Sequence, residues 1–180
     1  MKRFLLMAAL AGMAVVSLPF GARAQVSTVV KPVQFGIAAG ASIPTGDFGD
    51  LFSTGFNGTV TVGLNPQLIP LGIRIDGAYN QFSFKPGDGS AHITSVTGNL
   101  VYSIPSAGIS PYLIGGAGWY NLGLSDELGG DSENDFGWNV GGGIKLPLSG
   151  FDTFIEARFN QVQTEGQSTR FIPITFGILF

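Results

Sequence analysis

An all-β fold, closed as an eight-stranded antiparallel up-and-down transmembrane β-barrel, is predicted from three observations. Eight segments of the 180-residue chain alternate in side-chain character with the two-residue period of a strand. The charges inside those segments, Arg74, Asp76, Lys145, Glu156 and Arg158, fall on faces otherwise built from Gly, Ala, Ser, Thr and Asn. The last segment, Phe171 to Phe180, has one wholly apolar face and ends on an aromatic residue.

Composition agrees with a surface that does not need charge. Charged residues make up 12% of the chain, while hydrophobic residues reach 44% and there are 28 glycines; ordinary soluble domains carry about 25% charge. With no cysteine, disulfides and Cys-ligated metals are excluded. The acidic balance, a formal net charge of −3, argues against nucleic acid as a partner.

The amino terminus reads as an export signal. Lys2 and Arg3 precede an apolar run from Phe4 to Val16, Pro19 and Gly21 break it, and Ala22-Arg23-Ala24 supplies a small-x-small cleavage pattern. The apolar run is short for a membrane span. The expected organisation is a cleaved signal over 1–24, a short lead-in over 25–32 and the barrel over 33–180.

Along the mature chain the first strand, Val33 to Ile43, turns Val33, Phe35, Ile37, Ala39, Ala41 and Ile43 to one side. After a polar loop from Thr45 to Gly55, the second strand, Phe56 to Leu64, sets Phe56, Val60, Val62 and Leu64 against Asn57, Thr59 and Thr61. The third, Leu71 to Phe82, sets Leu71, Ile73, Ile75 and Tyr79 against Arg74, Asp76 and Asn80. The fourth, His92 to Ile104, sets Val96, Leu100, Tyr102 and Ile104 against Ser95, Thr97 and Asn99.

In the fifth strand, Pro111 to Leu122, both phases hold bulk. Tyr112, Ile114, Tyr120 and Leu122 are assigned outward because Asn121 then falls inside. The sixth, Phe136 to Leu146, sets Phe136, Trp138, Val140, Ile144 and Leu146 against Gly137, Asn139, Gly141, Gly143 and Lys145. The seventh, Thr153 to Val162, turns Ile155, Ala157 and Phe159 outward and Phe154, Glu156, Arg158 and Asn160 inward. In the eighth, Ile172, Ile174, Phe176, Ile178 and Phe180 share the apolar face, and Pro173, which cannot donate to a ladder, predicts a local irregularity. This strand is expected to close the barrel against the first.

Connections after strands one, three, five and seven are polar and slightly longer, and those after two, four and six are shorter and contain proline. That alternation is expected of outer loops and periplasmic turns, with both termini periplasmic. A soluble ligand-binding barrel would instead turn the aromatic and aliphatic faces inward. Eight strands enclose a space just wide enough for small side chains, so polar residues belong inside and apolar ones against lipid. The outward aromatics then form two belts: Phe56, Tyr79, Tyr120, Phe136, Trp138 and Phe159 at the loop end, and Phe35, Tyr102, Tyr112, Phe176 and Phe180 at the turn end.

The chain resembles the small eight-stranded outer-membrane β-barrel domains of the OmpA/OmpX-like class. The resemblance is carried by Pro44-Thr45-Gly46-Asp47-Phe48, PYLIGGAGWY (111–120), GWNVGGGIKLPL (137–148), FIEARFNQV (154–162) and FIPITFGILF (171–180). It implies a bacterial outer-membrane location and contact with outer-membrane lipid and lipopolysaccharide. It also implies an assembly signal, Phe176, Ile178 and Phe180, read by the outer-membrane assembly machinery.

Three groupings could carry chemistry. Arg74, Asp76, Lys145, Glu156 and Arg158 form a charge network in the lumen, either a paired plug or the lining of a narrow pore; an unpaired buried charge is costly, which favours the plug. Asp126, Glu127, Asp131, Glu133 and Asp135 cluster in one loop, but counted from Asp131 the sixth position is Phe136 and the twelfth is Gly142, so the calcium-loop pattern fails. The single histidine, His92, shares a face with Thr94, a bare hydroxyl–imidazole pair without a third member. The residues therefore favour a monomeric, non-catalytic structural, adhesive or protective surface protein without cofactor or metal. The alternative is a narrow pore for small or hydrophobic solutes, with a lipid-modifying enzyme or soluble binder behind it.

Overall fold

The structure is a computed structural model that describes residues 32–180 except 67–68, 86–88, 107, 126–131 and 165–166. The expected signal, 1–24, and residues 25–31 of the lead-in lie outside the described residues.

Eight strands follow one another as a closed antiparallel barrel. They are β1 (Val33–Thr45), β2 (Gly55–Leu64), β3 (Leu71–Ser83), β4 (Ser90–Ser103), β5 (Ser110–Ser125), β6 (Ser132–Pro147), β7 (Asp152–Thr164) and β8 (Gln167–Leu179). β1 and β8 close it, with pairing from Gly36 against Leu179 to Thr45 against Arg170. Closure leaves no unpaired edge, which is what a membrane demands of a sheet. On the other flank of β8, the ladder to β7 passes from Ala157–Ile174 to Asn160–Phe171, skipping the position of Pro173 as its missing N–H requires.

In seven strands the two faces are disposed as the alternation predicts. The exception is β5. Leu113 and Trp119 are the outward residues, 59% and 70% exposed, while Tyr112 and Tyr120 are buried in the interior at 6% and 0%. Glycines of the neighbouring strand explain the inversion. A Cβ at Gly137 would lie 2.7 Å from the Tyr120 ring, and one at Gly143 would lie 2.6 Å from Cζ of Tyr112. The bare inner face of β6 is therefore the space those two rings occupy. Asn121, expected inside, donates to Asn134 Oδ1 at 3.0 Å on the exposed side.

Two further expectations are corrected. The β7–β8 connection is the two residues 165–166, whereas four or more residues separate the strands at each turn, so length does not distinguish the two ends. The strands continue into sequence that looked like loop. The stretch after β1 is also not simply polar. Gly46, at φ 63°, adopts the left-handed conformation glycine tolerates and redirects the chain into a five-residue helix, α1 (Asp47–Leu51). One turn apart, Phe48 and Phe52 stack with ring centroids 4.4 Å apart. Both rings pack into the barrel mouth.

The interior is layered. At the loop end Phe52, Phe82, Ala91, Ile93, Tyr120, Val162 and Phe171 form an apolar cluster backed by Phe48, Phe84 and Leu122. At the turn end Tyr112, Ile114, Phe154 and Leu179 form a second. An interior of small and polar residues alone is thus replaced by a polar layer held between two apolar ones.

Candidate functional site

The middle layer is organised by two strands on opposite walls. β3 contributes Arg74 and Asp76 and β7 contributes Glu156 and Arg158, each pair two residues apart and so on one inward face. β3 and β7 are four strands apart in either direction around the barrel. Arg74 Nη2 donates to both oxygens of Glu156 at 2.8 Å, and Arg74 Nε lies 3.0 Å from Asp76 Oδ1. Arg158 Nη1 donates to Asp76 Oδ2 at 2.8 Å and Arg158 Nε lies 2.6 Å from Glu156 Oε1. Two cations and two anions alternate, so the group is neutral.

Neutral side chains add further hydrogen bonds to the carboxylates. Tyr112 donates its hydroxyl to Glu156 Oε2 at 2.7 Å, and Asn99 donates to Asp76 Oδ2 at 2.9 Å. Asn139 in turn donates to Asn99 Oδ1 at 2.9 Å. The Phe154 ring covers the Arg74 guanidinium, with Cζ 5.9 Å from its centroid. Toward the loop end Asn80 Oδ1 accepts from Ser42 at 3.0 Å and from Asn57 at 2.7 Å, and Tyr120 donates to Asn160 Oδ1 at 2.9 Å. This bonding offsets much of the cost of burying a charged cluster.

Lys145 does not join this network. It faces inward as its parity requires, but at the turn-end mouth, 3.8 Å from Asp152 Oδ2. Gln34 donates to the same oxygen at 3.1 Å and Asn65 donates to Gln34 Oε1 at 2.6 Å. The mouth group and the central group are separate. Tyr112 and Tyr120, expected in the outer belts, belong instead to the interior network, as do Asn80, Asn99, Asn139 and Asn160. The recurrence of asparagine on inward faces was the sequence signal for the latter.

Interior space is small. A cavity of about 20 Å³ adjoins Asp76, Glu156 and Arg158, and one of about 30 Å³ lies beyond Arg74 at the turn-end mouth. At about 10–15 Å³ for each water centre, these hold one to three waters apiece.

Outside, Phe56, Tyr79, Phe136, Trp138 and Phe159 lie toward the loop end, joined by Trp119. Trp119 packs edge-on to Phe136 and Trp138 lies beside Phe159. Phe35, Tyr102, Phe176 and Phe180 are exposed toward the turn end. His92 stacks on Tyr79 with centroids 6.1 Å apart, in the outer aromatic row that Phe56 continues. Of the acidic loop, Asp126, Glu127 and Asp131 lie outside the described residues, as does the side chain of Glu133. Among the described residues no group of three or more His, Cys, Asp or Glu side chains is placed to hold a metal.

A closed antiparallel barrel of eight strands, apolar outside and bonded polar groups within, defines the class of small transmembrane barrels. The chain belongs to the outer membrane protein beta-barrel domain family, which it matches over residues 8–180. That family places it in the bacterial outer membrane. No curated protein matches the sequence. Among solved structures, Neisserial surface protein A is similar with a TM-score of 0.69 at 14% identity, covering 83% of this chain and 96% of that one. Ail, the attachment invasion locus protein of Yersinia pestis, gives 0.55 at 16% identity, covering 84% and 100%. The N-terminal barrel domain of Pseudomonas aeruginosa OprF gives 0.50 at 15% identity, covering 82% and 97%. At these identities the likeness concerns the fold.

Proposed function

We propose that this protein is a non-conducting, non-catalytic barrel that serves the outer membrane through its surface: a stable, lipid-anchored platform that presents acidic loops to the outside. The observation that carries this reading is the filled lumen. A neutral, cross-wall charge cluster is sealed by apolar clusters above and below. Nine of the twelve acidic residues, Asp47, Asp50, Asp88, Asp126, Glu127, Asp131, Glu133, Asp135 and Glu165, sit in or beside the loop-end connections. The three turns carry no charge at all. This asymmetry supports loops outside and termini in the periplasm, after cleavage of the signal following Ala24. Structural, adhesive or protective roles all draw on such a surface. The position of His92, stacked on Tyr79 on the outer face, supports a reading without catalysis.

Single-channel recording of the refolded barrel in planar bilayers is the test. A silent bilayer is expected. Steady conductance that Glu156→Gln abolishes would replace this reading with a narrow pore.

A further inference from the structure

The mouth group at the turn end and the central charge cluster leave a cavity of about 30 Å³ between them. Both groups contribute to its walls: Arg74 and Tyr112 from the cluster, Gln34, Asn65 and Lys145 from the mouth. Ser103, at the end of β4, joins them, and the rest of the lining is aliphatic or glycine. Two cations line this space and no carboxylate does. The cavity on the loop side of the cluster differs, because its charged lining is Asp76, Glu156 and Arg158. The cluster is neutral as a whole, yet toward the mouth it presents Arg74 and neither of its acids.

Three donors around this cavity are not used within the protein. Arg74, its side chain only 8% exposed, gives Nε to Asp76 and Nη2 to Glu156, which leaves Nη1. Lys145 Nζ lies 3.8 Å from Asp152 Oδ2, near enough for attraction and too far for a hydrogen bond. The Ser103 hydroxyl has no hydrogen bond among the described residues. By contrast Asn65 donates its amide to Gln34, and Tyr112 donates its hydroxyl to Glu156. The nearest acids are held by other groups: Glu156 by Arg74, Arg158 and Tyr112, and Asp152 by Gln34 at 3.1 Å. What remains is an ammonium, a guanidinium nitrogen and a hydroxyl around one enclosed space. Water would bring two donors of its own to such a place, whereas an anion brings acceptors only. Two positive charges in a wall of low dielectric favour the anion.

We infer that this cavity is a binding site for one small monovalent anion of chloride's size, held by Lys145 Nζ, Arg74 Nη1 and the Ser103 hydroxyl. Its volume sets the class of ligand. Room for one to three water centres admits a halide and is too small for a tetrahedral oxyanion. Lys145, with 26% of its side chain exposed, marks the way in from the mouth. Arg74 and the carboxylates behind it close the inner side, so the ion enters and leaves by the same end and no pore is formed. Once bound, it links β6, β3 and β4 through Lys145, Arg74 and Ser103, joining the mouth group to the central cluster. The site goes beyond the reading of the barrel as a surface platform and does not depend on what the loops do.

Chloride nuclear magnetic resonance provides the test. The barrel is refolded in a non-ionic detergent, and the broadening of the chloride line is followed as sodium chloride replaces sodium gluconate at constant ionic strength. The parent should show saturable broadening that bromide reverses and gluconate does not. Lys145→Met should weaken the apparent affinity at least ten-fold, as loss of a charge-assisted bond requires, and Ser103→Ala about three-fold. Lys85→Met, which removes a cation at the loop end, should leave the affinity unchanged. Broadening absent from the parent, equal in Lys145→Met, or reversed by gluconate as well as by bromide overturns the site and assigns the cavity to water. Heat-dependent gel mobility shows which variants are folded. If Lys145→Met is not, Ser103→Ala decides alone, and an affinity equal to the parent's overturns the proposal.

Discussion

Arg74 on β3 and Glu156 on β7 meet across the full width of the barrel, one guanidinium nitrogen 2.8 Å from both carboxylate oxygens. No hydrogen-bond ladder joins those two strands, so this contact and its neighbours brace walls that the sheet connects only around the circumference. Removing one charge from such a cluster leaves another buried without a partner, a change worth about 3–5 kcal/mol.

Glu156→Gln is therefore expected to destabilise the membrane-inserted barrel by about 3–5 kcal/mol, read as a lower denaturant midpoint in vesicles. Adding Arg158→Met removes the surplus cation and leaves Arg74 with Asp76. The double variant should recover at least half of the loss. Additive losses would show that the four charges do not act as a unit.

The inversion of β5 makes a separate prediction. With Trp138→Phe as background, Trp119 is the sole indole. Exposed outside the barrel, it should be strongly quenched by lipids brominated in the acyl chain. In the opposite facing it would sit in the lumen and ignore them. Tyr112→Phe should cost about 1–3 kcal/mol, since Glu156 loses a buried donor.

Glycines that look alike in sequence should behave differently. A Cβ at Gly118 would fall 2.1 Å from the Val96 carbonyl oxygen and 2.7 Å from Thr97 Cα, both backbone atoms that cannot step aside, whereas at Gly98 it meets nothing within 4 Å. Gly118→Ala should therefore impair folding into vesicles severely. Gly98→Ala should be neutral or stabilising by about 0.4–1 kcal/mol, because alanine narrows the unfolded ensemble. Equal denaturation midpoints for the two variants would contradict the packing of β5 against β4.

These contrasts mark where the sequence stopped being legible. Parity is a local property, and it placed Arg74, Asp76, Glu156 and Arg158 on inward faces because each strand alternates cleanly. In β5 both faces carry bulk, and the deciding information lay one strand away in Gly137 and Gly143. Lys145 shows a different limit: alternation says which face a residue takes but not at what height, and height separates it from the central cluster. The inward turn of Phe48 and Phe52 was hidden for a third reason. A five-residue helix is too short to reveal a period, and its burial depends on Phe82, at the end of β3, and on Phe84 just beyond it.

The carboxy terminus allows two roles of one residue to be separated. Phe35 N donates to Phe180 O at 3.2 Å and Phe180 N donates to Phe35 O at 2.7 Å, a reciprocal pair at the seam that joins the first and last strands. Its ring, meanwhile, points outward and is exposed. Deleting Phe180 removes both the backbone pair and the ring; Phe180→Ala removes only the ring. If the terminal aromatic is what the assembly machinery reads, Phe180→Ala should refold in vesicles at a rate close to the parent's. In cells the same variant should accumulate in the periplasm. The deletion should show the same defect in cells and also refold more slowly in vitro, having lost the seam. Fractionation together with heat-modified gel mobility reads both. Normal outer-membrane assembly of Phe180→Ala, with only the deletion impaired, would assign the residue to closing the seam and remove it from recognition.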